Sequence, residues 1–323
     1  MSSRLLTPAR TAILATVALS TAACGSATAG SGSSGSAAAS DSARTVSITH
    51  AQGATQVPVQ PKKVAVLDMG ALDSITSMGA GDSVKSLAKQ GLPAFLQQYK
   101  AEKYANLGTM FEPDLEKLAT DKPDLIVVGG RSAAKYKDLA KIAPTIDTTV
   151  SSKGDFFEGV KKVNTSLGQV FGKEAEVKAK LAAVDTKVAA TKAKAAGAGT
   201  GLILMTSGGK VSAFGPQSRF GLIHTALGVK PTAAKMTEDR HGMAASFEYI
   251  KAANPGHLFV VDRDAAIGES GKAAKEVLDN ALVKATPAGA GNKITYLDGQ
   301  RWYVTGTGLD NLSAMVDEVA AGL

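Results

Sequence analysis

Residues 173–196, KEAEVKAKLAAVDTKVAATKAKAA, contain neither glycine nor proline and are built mostly from alanine, lysine, glutamate, leucine and valine, all compatible with helix. Val177, Leu181, Val184 and Val188 fall on one narrow stripe of such a helix. Glu174/Lys178 and Glu176/Lys180 have the spacing and order of supporting ion pairs. Acids open the segment, Lys192 and Lys194 close it, and Gly197 follows as a left-handed stop. The helix would be roughly 36 Å long. On both sides the chain alternates strand-like and helix-like segments, so two α/β lobes joined by a connector too stiff to close far are expected. The alternative is a surface helix of one large domain.

The lobe before the helix (44–172) opens with β-rich runs at 45–48 and 55–59 around Gly53, a hairpin pattern. A strand at 64–67 ends in Asp68-Met69-Gly70, and a helix follows through Leu72, Ile75 and Met78. A second helix spans 111–119 from Pro113, and an apolar strand at 125–128 ends in Gly129-Gly130-Arg131. Leu139 and Ile142 belong to another helix, and 155–171 is amphipathic. After the connector (173–197), the lobe 198–323 has strands at 202–205, 211–214, 258–261 and 294–297, with helices at 219–227, 246–253 and 308–321. Such alternation implies mainly parallel sheets with ligands at the carboxyl ends of the strands. Arg131 and Arg263 each lie just past such an end, and Arg219 follows the Gly215-Pro216 turn. All three are expected in the gap between the lobes.

Residues 1–23 form a targeting segment: Arg4 and Arg10, a short apolar run at 12–19, then Thr21, Ala22 and Ala23 before Cys24. The pattern resembles a bacterial lipoprotein signal, with Thr21 where leucine is usual, and implies a lipidated Cys24 at the mature N-terminus. The other reading is ordinary secretion with Cys24 removed or free. Cys24 is the only cysteine, so no intrachain disulfide can form. The glycine-, serine- and alanine-rich stretch up to residue 43 reads as a flexible tether. The formal charge is +7 and falls by two with the signal's arginines. No arginine-rich block stands out, which argues against nucleic acid and suits a basic pocket for a small anion.

The stretches LDMGALDSI, EPDLEKL, KPDLIVVGGR, LMTSGGKVSAFGPQSRFGLIH, HGMAASFEYI, HLFVVDRDAAIG and RWYVTGTGL resemble the siderophore-binding lipoproteins of ABC-type iron importers. These are helical-backbone (class III) solute-binding proteins, and the likeness is to the catecholate branch that takes petrobactin and enterobactin fragments. GGKVSAFGPQSRFG with HGMAASFEYI is its most specific part. The resemblance implies a monomeric receptor, anchored outside the cytoplasmic membrane, that passes a ferric siderophore to a permease. It carries no intrinsic cofactor. The resemblance also assigns the three arginines to the negative charge of the ferric complex, and planar guanidinium donors fit its oxygens. It gives His241 and Tyr303 to the iron of tetradentate siderophores, and Glu116 and Glu248, one per lobe, to docking on the permease. Without it, His241 reads as a loop histidine, Tyr303 as a half-buried strand tyrosine, and the glutamates as solvated helix carboxylates. Trp302 either stacks on a catechol or packs the core. His224 reads as a helix-face residue, and His50 and His257 as strand ends.

An enzyme is disfavoured by the sequence. There is no Gly-x-Ser-x-Gly elbow and no cysteine nucleophile in the mature fold. The Gly-Glu-Ser-Gly-Lys run at 268–272 lacks the glycine and the hydroxyl residue of a phosphate loop, with Ala266 and Ala273 in their places. The Gly197/Gly199/Gly201 run lies between helix and strand in the reverse of dinucleotide-site order. A siderophore esterase is thus a minor alternative. Haem or a corrinoid is the alternative cargo, with His241 or Tyr303 as an axial ligand.

Overall fold

The computed structural model describes residues 44–151, 154–237 and 242–323. The signal, the tether, Cys24 and His241 lie outside these residues. Strands β1 (Thr45–His50) and β2 (Gly53–Pro58) form the expected antiparallel hairpin. The first sheet contains β3 (Val64–Val66), β4 (Val84–Leu87), β5 (Ala105–Asn106), β6 (Leu125–Val128) and β7 (Thr145–Asp147), ordered β5-β4-β3-β6-β7 and wholly parallel. Its helices are α1 (Met69–Ser77), α2 (Leu115–Asp121) and α3 (Tyr136–Leu139). Asp68 caps α1 by accepting from Ala71 N, and Asp114 caps α2 by accepting from Lys117 N. Helix α2 therefore starts later than its sequence suggests, because Pro113 is held in a bridge with Gly108. Ile142 falls outside α3.

Helix α4 (Phe156–Phe171) leads through left-handed Gly172 to α5 (Glu174–Ala195), the connector. The second lobe runs β8 (Thr200–Ser207), β9 (Lys210–Phe214), α6 (Leu222–Thr225), β10 (Lys230–Pro231), β11 (Met243–Ala244), α7 (Phe247–Ala253), β12 (His257–Asp262) and α8 (Arg263–Ile267). Three single-turn helices, α9 (Ala274–Val277), α10 (Ala281–Lys284) and α11 (Pro287–Ala290), precede β13 (Ile294–Leu297) and α12 (Leu309–Ala321). The sheet order is β11-β9-β8-β12-β13, with β10 also on β8. The pairings β8–β12 and β12–β13 are parallel, whereas β9 runs against β8. Only 222–225 of the expected 219–227 helix is helical. The backbone before it is folded into successive turns, Ser218 N to Gly215 O and Gly221 N to Ser218 O. A Cβ on Gly221 would run into the Pro216 carbonyl.

The apolar stripe of α5 is shared by two cores. Val177 and Leu181 pack with the first sheet, and Val184 and Ala195 pack with the second, Val188 lying at its margin. Its charges are used differently from the expected pattern. Lys180 reaches Asp310 (2.7 Å) and Lys187 reaches Asp317 (2.5 Å), both on α12, while Glu176 pairs with Lys173 (2.9 Å). With Lys180 taken by α12 and Glu176 by Lys173, the expected Glu176/Lys180 pair does not form, and Glu174 and Lys178 do not pair with each other either. Gly197 does not adopt the left-handed conformation. A tightened turn from Ala198 N to Ala195 O ends the helix, and Gly199 carries the positive φ of 91°.

Helix α12 joins the lobes a second time. Asp73 Oδ2 on α1 accepts from Asp310 N and Asn311 N (3.1 Å each), and Ser74 Oγ accepts from Leu309 N (3.1 Å). Asn164 on α4 donates to Thr307 O (3.1 Å). A Cβ on Gly308 would collide with the Asp73 carboxylate, so only glycine lets the backbones approach this closely.

Candidate functional site

Parallel strands of both sheets, β6 in the first and β12 in the second, lead at their carboxyl ends into the site. Strand β6 runs into a tight turn in which Ser132 Oγ donates to Leu67 O (2.8 Å) and accepts from Gly129 N (3.1 Å). A Cβ on Gly129 would strike Thr148 Oγ1 and the Asp68 carboxyl. Gly130 N donates to Thr149 Oγ1 (2.8 Å). This anchored turn carries Arg131. In the second lobe β12 ends at Asp262, which caps α8 by accepting from Ala265 N (3.0 Å), so Arg263 is the first residue of that helix. Arg219 sits in the turn between β9 and α6.

The segment joining β13 to α12 supplies the fourth side. Residues Gln300–Thr305 form a π-helical turn, so Tyr303 is not on a strand as its β-prone neighbours suggest. The widened turn turns main-chain carbonyls toward the arginines, a departure of a kind found at functional sites. Arg131 donates to Tyr303 O (2.8 Å) and Val304 O (3.2 Å), and Arg219 donates to Tyr303 O (2.7 Å). Arg263 Nε donates to the Tyr303 hydroxyl (3.3 Å). The three guanidinium carbons lie 5.0, 4.7 and 5.8 Å from the centre of the Tyr303 ring, within cation–π range. All four side chains are half-buried.

Burial, the largest single influence on the Tyr303 phenol, opposes its ionisation. The Arg263 hydrogen bond and the charges of Arg131, Arg263 and Arg219 together outweigh it, and the phenol titrates below its ordinary value. Asp68, near Arg131, is half-buried, and desolvation pushes its carboxyl up against the helix-cap hydrogen bond and the Arg131 charge. Arg263 Nη1 also reaches Ser207 Oγ (3.2 Å), Asp264 Oδ1 (3.3 Å) and Glu269 Oε2 (3.1 Å).

The structure thus brings together Arg131, Arg219, Arg263 and Tyr303. Trp302 points away: it is 1% exposed, packs near Phe220 and donates from Nε1 to Glu318 Oε2 (2.9 Å). His224 is buried on α6 with Nδ1 against Val229 O, and His50 and His257 stand at strand ends. Glu116 and Glu248 are exposed, each in the first turn of its helix, α2 or α7. Sequence reading passed over Asp68, Ser207, Asp264 and Glu269. One available signal was internal repetition: Arg131 follows Glu116 at the same interval as Arg263 follows Glu248. A cavity of about 300 Å³ lies elsewhere, between β1, the end of β7 and α4, and none of the three arginines lines it. Among the described residues there is no cluster of histidine, cysteine and acidic side chains able to hold a metal, and no helix long and apolar enough to cross a membrane.

Residues 64–301 match the model of a family described as periplasmic binding protein. The chain is 40% identical over 273 residues to the petrobactin-binding protein YclQ of Bacillus subtilis (strain 168), covering 84% of this chain and 86% of that one. It is 30% identical over 282 residues to the ferric-anguibactin-binding protein FatB of Vibrio anguillarum (strain ATCC 68554 / 775), covering 86% and 87%. The YclQ crystal structure superposes with a TM-score of 0.83 over 86% of this chain and 98% of that one. The periplasmic catecholate-siderophore binding protein VctP of Vibrio cholerae, 36% identical, superposes with 0.81 over 86% and 100%. The matched family model, the length of these alignments and the two-sheet architecture agree: the chain belongs to the periplasmic binding protein family.

Proposed function

We propose that this protein is the receptor of an ABC-type iron importer, capturing a ferric catecholate-type siderophore and delivering it to a membrane permease. The observation that carries this reading is the convergence of Arg131, Arg219 and Arg263 on one aromatic ring. Iron(III) held by catecholates brings negative charge on planar aromatic ligands. Guanidinium groups meet both features, by charge-assisted hydrogen bonds and by stacking. The names of YclQ and VctP point to the same class of ligand. Haem fits less well, because the gathered groups are cations. Titrating the mature protein with ferric catecholates, ferric hydroxamates and haem, and following the fluorescence of the single tryptophan, tests this. Catecholates should bind tighter by orders of magnitude, and a preference for haem would overturn it.

The finer assignments are part of the same proposal. Tyr303, its proton loosened by the arginines, completes iron coordination together with His241 when the siderophore supplies too few oxygens, phenolate oxygen being a suitable donor to hard ferric iron. Glu116 and Glu248 dock on the permease; in support, both are exposed and stand at the same position of side-chain-capped helices. Lysine at both positions should stop iron uptake while leaving siderophore binding intact. Cys24 anchors the mature chain to the membrane, so Cys24→Ser should shed the protein into the medium.

A further inference from the structure

The 268–272 segment, Gly-Glu-Ser-Gly-Lys, fails as a phosphate loop, yet it carries a carboxylate into the binding site. Helix α8 ends at Gly268 in the left-handed conformation (φ 72°), and Glu269 N turns back to donate to Asp264 O (2.9 Å). This reversal places Glu269 Oε2 3.1 Å from Arg263 Nη1. Asp264 lies 3.3 Å from the same nitrogen, but the two acids differ. Asp264 is buried and committed, its Oδ2 accepting from Gly208 N (2.6 Å) and its Oδ1 from Ser207 Oγ (3.2 Å). Glu269 keeps 57% of its side chain exposed, and its carboxylate has no other partner among the described residues. Its loop is exposed from Gly268 to Ala273. Arg131 instead spends its guanidinium on two main-chain carbonyls.

We propose that Glu269 is a displaceable counter-ion: it holds Arg263 while the site is empty and yields the guanidinium to the incoming anion, which sets how strongly the site discriminates by ligand charge. This rests on the reading of the site as a receptor for anionic ferric chelates. Removing the Glu269 charge strengthens the positive field at Tyr303, and the gain grows with the charge of the ligand. A residue that merely propped Arg263 in place would weaken every ligand when lost. Exposed ion pairs are weak, so a change on the order of threefold is expected.

The test is titration of the mature protein and Glu269→Gln with two probes, the trianionic tris-catecholate and the monoanionic bis-catecholate of iron(III), with thermal unfolding alongside. The variant should bind the trianion on the order of threefold tighter and the monoanion by a smaller factor, with an unchanged unfolding midpoint. Unchanged or weaker binding, or the same factor for both probes, overturns the counter-ion role. A native protein that binds neither probe overturns the receptor reading and the counter-ion with it, whereas native binding with an indifferent variant overturns the counter-ion alone.

Discussion

A phenol ringed by guanidinium groups gives up its proton more easily than one in water, because the anion it leaves is already paired. Tyr303 is in that position, whereas burial pushes Tyr99, Tyr249 and Tyr296 the other way. In an absorbance titration Tyr303 should therefore be the first of these four to ionise. Tyr303→Phe should remove that earliest step, and Arg263→Gln should move it to higher pH. An unchanged titration in Tyr303→Phe would contradict the electrostatics. If the phenolate also reaches iron, Tyr303→Phe and His241→Ala should weaken tetradentate ferric siderophores much more than hexadentate ones; equal losses would exclude ligation. The arginines were legible because each follows a strand end or turn within a recognisable motif. The setting of Tyr303 was not, since Trp302, Tyr303 and Val304 favour strand by local preference and nothing local encodes a π turn. Trp302 could not be assigned either way from sequence; it packs in the second core, and its indole N–H is satisfied by Glu318 on α12, distant in sequence.

Among the elements, the meeting of α1 with α12 has a pH signature. Burial pushes the Asp73 carboxyl up to about 6, against the lowering effect of the Asn311 and Asp310 amides and of Arg301, with Asp310 adding to the rise. The folded chain then keeps a proton that the unfolded chain releases near the ordinary value of 3.8. Folding takes up a proton in that interval, so this site's contribution is full below about pH 4 and is lost as pH rises through about 6. The difference corresponds to about 3 kcal/mol. Asp73→Asn, which keeps an acceptor for both amides, should flatten this part of the stability–pH curve in chemical denaturation. A slope unchanged by the substitution would show that another group titrates there. Long elements with a clear period, α4, α5 and α12, were visible in the sequence to within a residue or so. Strands β4, β5 and β7 were not: β3 and β6 are as short but are continuous apolar runs (VAV and LIVV), whereas VKSL, AN and TID have no such run and too few positions to show a period. The charges on α5 misled in part for a related reason: the partner of Lys180 is Asp310 on α12, which is distant in sequence.

For the molecule as a whole, one helix contributes to both cores and another is capped by the opposite lobe. Closing the lobes far would tear the Asp73 and Ser74 caps from α12 and expose parts of two packed cores. Solution scattering should accordingly show little change in the radius of gyration on ligand binding, and a large contraction would contradict this. The two-lobe plan followed from the alternation of strands and helices about the connector, whereas the second join through α12 depends on contacts between residues far apart in sequence and leaves no local pattern. The central claim concerns charge, and calorimetric titration of the mature protein with an iron(III) tris-catecholate tests it most directly, comparing the native chain with the Arg131→Gln, Arg219→Gln and Arg263→Gln single variants and the triple variant. Charge-assisted hydrogen bonds are worth about 1.5–3 kcal/mol each, so each single change should weaken binding by about one to two orders of magnitude, and the triple variant should show no measurable heat of binding. A triple variant that still binds within tenfold of the native protein would contradict the account.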